Sequence, residues 1–442
     1  MAKFRISRMN SRAKVAYPLM LTALLIFAFA QPSQAVLNAV DPPPYEVAEG
    51  FFPIWYQDTH GRGLELCLSK AVGPNGNMCI LLPNPGIFVP SFDICFPGSC
   101  GGVTLPPGQT FNFPDESFWF AADGAVTGAG VDLRYVAALE AAFGGGVPLA
   151  GDQVSFARIR FFADVPVVGT YTVTHPYGIE IFEVTTVGAG REIQFTRDIG
   201  IGAPGVFTGA LAGDIGPFLT AATGLITVGT ETFIGDPNIF QAVTGSPFGT
   251  NYLRVQGPGI DVQSNLFALA GKVYAGPLPT PLVVDRTTYS RTATLTQIDV
   301  FATSAPTASV SFTPPTPAID MGPGDAVGRF FGQDLNPASI PASVTVTATL
   351  TSTPAVIASD VIDVVTITRA EYSLSTGTLV IEASSSDETA LPTLTAAGFG
   401  DLTTALVPPT FSGSFTATIP PATVTVTSLA GGSDTEEVVV LP

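Results

Sequence analysis

The chain has 442 residues, 46% of them hydrophobic and only 12% charged, with 46 Gly and 39 Pro. That hydrophobic share is too high for a disordered chain. A net charge of −18 repels a phosphate backbone and excludes nucleic acid as a partner.

The first 35 residues read as a secretory leader. "MAKFRISRMNSRAK" carries Lys3, Arg5, Arg8, Arg12 and Lys14 and no acid, and the apolar run "LMLTALLIFAFA" (19–30) follows. Ser33 and Ala35 supply the small residues before a cut, giving a mature start at Val36. Twelve apolar residues fall short of the roughly 20 that span a bilayer, and no other stretch is apolar enough, so no transmembrane anchor is expected in the mature chain. No Cys follows the cut, so lipoprotein anchoring is not indicated. Without residues 1–35 the chain holds 13 Lys and Arg against 36 Asp and Glu, a net charge of −23. Secretion to the cell surface or beyond is the expected location.

From about 46 to 280 the sequence holds both Trp, both His and all four Cys. Strands are legible in "GLELCL", "QVSFARIRFFADV", "GTYTVTH", "IEIFEVTTV" and "REIQFT", where apolar and polar residues alternate. In "FARIRFF" Arg158 and Arg160 share one face. "VDLRYVAALEAAF" (131–143) reads as a helix, since Val131, Tyr135, Leu139 and Phe143 recur at fours and "GGG" follows as a stop signal.

Cys67, Cys79, Cys95 and Cys100 are an even set in an exported chain, which points to disulfides. Haem attachment needs C-x-x-C-H, whereas Cys95 and Cys100 stand five positions apart and are followed by Gly101 and Gly102. Zinc sites favour short spacings on both sides, and Cys67 and Cys79 are 12 apart. Three connectivities are open, and Cys67–Cys79 with Cys95–Cys100 is preferred because short loops cost least to close.

Catalytic constellations are thin. His60 lies in "QDTHGRG" and His175 in "THPYG", neither at a metal-ligand spacing, and no G-x-S-x-G elbow occurs. Asp115 and Glu116 in "FPDESFWF" are the acid pair that a glycosidase would need across a cleft. "GIGAPG" (200–205) matches a dinucleotide fingerprint letter for letter, but Gly209, Gly213, Gly216 and Pro217 deny it the helix that such a site requires. No cofactor is therefore expected. Calcium is the cation that suits an acidic extracellular chain, with Asp198, Asp214 and Asp236 in Gly-rich loops as candidate ligands.

"GPLPTPLVVD" (276–285) looks like a stiff linker, and beyond it the composition shifts to Thr, Val, Ala and Ser. "IPASVTVT" (340–347) recurs as "IPPATVTVT" (419–427), placing Val344 and Val424 80 residues apart. That period suits one small sandwich per repeat. With the alternating runs "TATLTQIDVFA", "ASVSFT", "VVTIT", "GTLVIEA" and "GSFTATI", the tail resembles bacterial immunoglobulin-like modules, at 286–358 and 359–442. The likeness is architectural, because the Cys–Trp–Cys core of antibody domains is missing. Two further stretches, "FPIWYQDTHGRGLELCL" (52–68) and "REIQFTRDIGIGAPGVFTGALAGDIGPFL" (191–219), are similar to segments of exported bacterial proteins to which no activity is attached.

The expected architecture is mainly β: a large N-terminal β-sandwich-like domain (46–280) with one short helix, then two immunoglobulin-like sandwiches. Two functions of different classes fit it. One is a non-enzymatic surface or matrix protein that binds an extracellular polysaccharide or protein ligand. The other is an extracellular, polysaccharide-active hydrolase with the same modules as accessories. The missing nucleophile motif and the scarcity of His favour the first.

Overall fold

Alternation of apolar and polar residues is realised almost throughout as strand. The computed structural model describes residues 37–80, 112–188, 190–350, 353–404 and 410–442; the leader, Cys95 and Cys100 lie outside them. Among the described residues there are strands and two short 3₁₀ turns, Val47–Glu49 and Thr208–Ala212, and no helix is long and apolar enough to cross a membrane.

The expected helix at 131–143 is instead a strand, Val131–Phe143, which pairs antiparallel with Glu116–Gly128 on one side and Gln153–Asp164 on the other. A spacing of four is close to one helical turn, but it is also two strand periods. The residues between decide the matter. Leu133, Ala137 and Ala141 are apolar too, so every odd position from Val131 to Phe143 is buried on one face. Strong helix formers such as Ala, Leu and Glu yield here to two flanking strands that supply hydrogen bonds and a core.

These strands form the centre of a seven-stranded sheet, in the order Ile193–Ile199, Gln153–Asp164, Val131–Phe143, Glu116–Gly128, Leu266–Ala270, Gln241–Thr244 and Thr220–Ala221. A four-stranded sheet (Gly178–Val184, Gly169–His175, Leu253–Gly257, Ile260–Ser264) and a six-stranded sheet that includes Trp55–Asp58 and Gly63–Glu65 complete the N-terminal unit. The three share one core containing Tyr56, Trp119, Tyr135, Phe161, Tyr171 and Phe267. Trp119 is fully buried, and its indole N–H donates to the Pro53 carbonyl at 3.1 Å.

Two immunoglobulin-like β-sandwiches follow. In the first, the sheet of Arg329–Leu335, Thr296–Ser304, Leu282–Arg291 and Ile362–Asp363 faces the sheet of Ile319–Asp320, Ser309–Thr313, Ser343–Thr349 and Ala355–Asp360. The second repeats that plan and adds a short edge strand, Thr403–Thr404, beside Thr410–Thr416; Val365–Ser373 is its opening strand and Val439–Leu441 its closing one. Each opening strand carries a β-bulge, between Val284 and Arg286 in one and between Ile367 and Arg369 in the other. Each closing strand pairs parallel with its own opening strand. Val344 and Val346, and equally Val424 and Val426, point into separate cores, while the alternating threonines face outward.

Candidate functional site

A set of interacting ionisable side chains lies on the long sheet, on the face turned away from the main core. Even positions of Val131–Phe143 occupy that face, and Glu140 stands among Ala138 and Ala142 there. Phe118, Ala121, Ala138 and Ala270 form a small buried cluster on it. On the neighbouring strands, register brings Arg158 beside Ala138 and Asp198 directly opposite Arg158. The guanidinium donates to Glu140 through Nη1 at 2.8 Å, and to both oxygens of Asp198 through Nε at 2.7 Å and Nη2 at 2.8 Å. It also lies 4.7 Å from the centroid of the Phe156 ring.

Burial raises the acids of this face. Glu140, 2% exposed, is pushed up to about 7 by burial, and the charges of Glu116 and Asp198 add to the rise against the attraction of Arg158. Asp115 is pushed up to about 6 by burial and by Glu116 beside it, and Asp123 to about 6 by burial alone. Glu140 is thus a carboxyl that titrates near neutral pH, the property a proton-transfer group needs. It is also almost closed off from solvent and tied to Arg158, as a strand-locking ion pair would be.

The two histidines occupy unlike settings. His60 sits in the turn after Trp55–Asp58, where its backbone N–H donates to Asp58 Oδ1 at 3.0 Å. Asp58 also accepts the N–H groups of Arg62 and Phe218, each at 2.9 Å, and burial pushes its carboxyl up to about 6. Burial and the Arg62 charge lower the His60 imidazole. His175 is fully buried in the aromatic core, its ring 5.3 Å from that of Tyr135. Its Nδ1 faces the Tyr135 hydroxyl at 3.2 Å and accepts the Tyr177 N–H at 3.3 Å, which leaves the proton on Nε2. Burial, with the Arg197 charge, pushes His175 down to about 3, so it is neutral across the physiological range.

The calcium candidates are held by different partners. Asp198 is taken by Arg158, and Asp214 lies 2.6 Å from Arg197, which also pairs with Glu180 at 2.6 Å. Asp236 accepts the Asn75 and Asn238 side-chain amides, each at 2.8 Å. Among the described residues, no group of three or more His, Cys, Asp or Glu is placed to hold a metal ion. In "GIGAPG", Gly200 has φ +105° and packs so closely on the Thr208–Ala212 turn that a Cβ would come within 2.4 Å of the Ala210 nitrogen. Backbone packing explains that glycine. Cys67 and Cys79 form a disulfide, packed with Met78 and Phe233.

Glu140 is the residue that sequence reasoning missed. Read as strand, 131–143 places Glu140 between Ala138 and Ala142 on one face, with Asp132 at the far end of that face, next to the strand that carries Arg158. That pattern was the available signal.

The sandwiches and the candidate face together define a chain of β-sandwich units, immunoglobulin-like in its last two. Among solved structures it is similar in part to a teleost fish polymeric immunoglobulin receptor ectodomain (11% identity over 36% of this chain and 98% of that one, TM-score 0.20). It is likewise similar to a titin immunoglobulin tandem (9% identity, 37% and 97%, TM-score 0.16). A third similarity is to a 1.5-MDa bacterial ice-binding adhesin studied for its retention at a host cell surface (10% identity, 65% and 91%, TM-score 0.16). No family model matches the chain, and no curated protein does.

Proposed function

We propose that the chain is an exported, non-enzymatic cell-surface or matrix protein. Its N-terminal β unit binds an extracellular polysaccharide or protein, and the two immunoglobulin-like sandwiches act as spacers. The observation that carries this reading is the repetition of one sandwich plan behind a larger, unlike β unit. Repetition adds length and leaves the presented unit unchanged, which is what a spacer contributes. Export rests on the leader at 1–35. The commitment of Glu140, Asp198 and Arg158 to one another, and of His175 to the aromatic core, supports a structural role for these polar groups.

The hydrolase reading keeps one specific support, the near-neutral Glu140 with Asp115 close to it in behaviour. One experiment separates the two. Cells expressing the full chain, or a chain lacking residues 286–442, are fractionated, and the exported proteins are screened for turnover of polysaccharides and esters. Surface or matrix association that weakens with the deletion, with no turnover, supports the binding reading. Turnover that disappears in Asp115→Asn, Glu116→Gln or Glu140→Gln replaces it with the hydrolase.

A further inference from the structure

The connection between the two sandwiches has almost no slack. The closing strand of the first ends at Asp363 and the opening strand of the second begins at Val365, so Val364 is the whole linker. Around it, the chain beyond Thr378–Ser385 folds back onto the first sandwich. Asp387 belongs to the second sandwich and is 1% exposed. Its Oδ1 accepts Arg291 Nε at 3.0 Å, and its Oδ2 accepts Arg291 Nη2 at 2.5 Å and the Tyr289 hydroxyl at 3.1 Å. Both donor residues lie on the opening strand of the first sandwich. The N–H groups of Thr389 and Ala390 complete its shell at 3.1 and 2.9 Å.

Backbone and packing repeat the same tie. The Arg291 N–H donates to the Ser386 carbonyl at 2.8 Å, and the Glu388 N–H donates to the Arg291 carbonyl at 2.7 Å. The Ser386 hydroxyl donates to the Tyr289 carbonyl at 2.6 Å. Asp363, also 1% exposed, accepts the Ser385 hydroxyl at 2.6 Å and the Gly432 N–H at 2.9 Å. Ala430 of the second sandwich packs against the core of the first. Gly432 lies so close that a Cβ would come within 2.3 Å of the Asp363 carbonyl oxygen.

We propose that the two sandwiches are one locked body, with Asp387 of the second completing the polar end of the first through Arg291 and Tyr289. A buried carboxylate stripped of its donors is costly to leave in place, so any rotation about Val364 must expose Asp387 or strand it unpaired. Burial alone would raise Asp387, yet Arg291, the two N–H groups and the Tyr289 hydroxyl hold it down at about 2. The tie therefore persists through any ordinary pH. It holds whether the N-terminal unit binds or cuts.

The test uses the full chain with spin-labelled non-natural residues at exposed Val356 and Thr423, one in each sandwich. Electron–electron distance measurement should give a single narrow distribution. Asp387→Ala and Arg291→Ala should broaden it several-fold, while Glu388→Ala, which keeps the backbone bond, should leave it narrow. Amide exchange should show Arg291 and Glu388 protected in the wild type and exposed to exchange in both joint variants. A broad wild-type distribution overturns the proposal without recourse to any variant. So does a narrow distribution that survives Asp387→Ala with the exchange pattern unchanged.

Discussion

Arg158 and Glu140 sit on adjacent strands with nitrogen and oxygen 2.8 Å apart, and their side chains keep only 12% and 3% of their exposure. With Glu140 pushed up to about 7 from an ordinary value of 4.5, the folded protein holds this proton more tightly than the unfolded chain does. The contribution to stability is therefore fully present below about pH 4.5 and is lost as pH rises through about 7. Asp58, Asp115 and Asp123 act with the same sign, ending near pH 6. Urea midpoints should fall between pH 5 and pH 7.5, and Glu140→Gln should flatten the part above pH 6. A wild-type midpoint that climbs across this window would contradict the assignment.

The disulfide should stabilise the N-terminal unit alone. Replacing Cys67 and Cys79 together by serine should cost about 3 kcal/mol, the scale expected for a bridge that closes a short loop. Both tryptophans, Trp55 and Trp119, are buried in that unit. Their emission should report the earlier melting, while the sandwiches, which contain no tryptophan, keep their transition in the far-UV spectrum.

Gly61 has φ +84°, and a Cβ there would stand 2.3 Å from Leu350 Cδ2 of the first sandwich. Gly61→Ala should cost about 1–3 kcal/mol through overpacking and left-handed backbone strain. Leu350→Ala combined with it should recover part of that loss, because the obstacle is the end of a side chain. Strictly additive denaturation midpoints for the pair would rule the contact out.

The histidines should separate by burial. His60→Ala is expected to cost about 1 kcal/mol or less, as a half-buried turn residue does. His175→Ala should cost about 2–4 kcal/mol, since it opens the aromatic core and removes the acceptor used by Tyr177. Ligand or surface association should survive His60→Ala with His175→Gln. Loss of association in a double variant that keeps its melting temperature would give an imidazole a functional role.

Much of the strand pattern was legible. "QVSFARIRFFADV" became Gln153–Asp164 and "GTYTVTH" became Gly169–His175, because alternation has one structural meaning when a face must be buried. "VDLRYVAALEAAF" was misread because its largest apolar residues fall at fours, and alanine conceals the alternation between them. Glu140 was hidden by the same error. Asp387 was hidden for another reason: its partners lie almost 100 residues away, and only the folding of one sandwich against another brings them together.

The two opening strands show what sets this joint apart from the shared plan. Counted from their bulges, Arg286 matches Arg369 and Tyr289 matches Tyr372, but the place of Arg291 is held by Leu374. The second opening strand has the tyrosine and not the guanidinium. On the other side, Ser304 matches Ser385, both buried at the end of the next strand, and Pro306 stands where the second sandwich has Asp387. The plan is shared, but the joint is not interchangeable. Recombination that reversed the sandwiches, or deleted the first, would leave Asp387 with no arginine to meet. Lineages that shuffle these modules should therefore gain or lose Arg291 and Asp387 together.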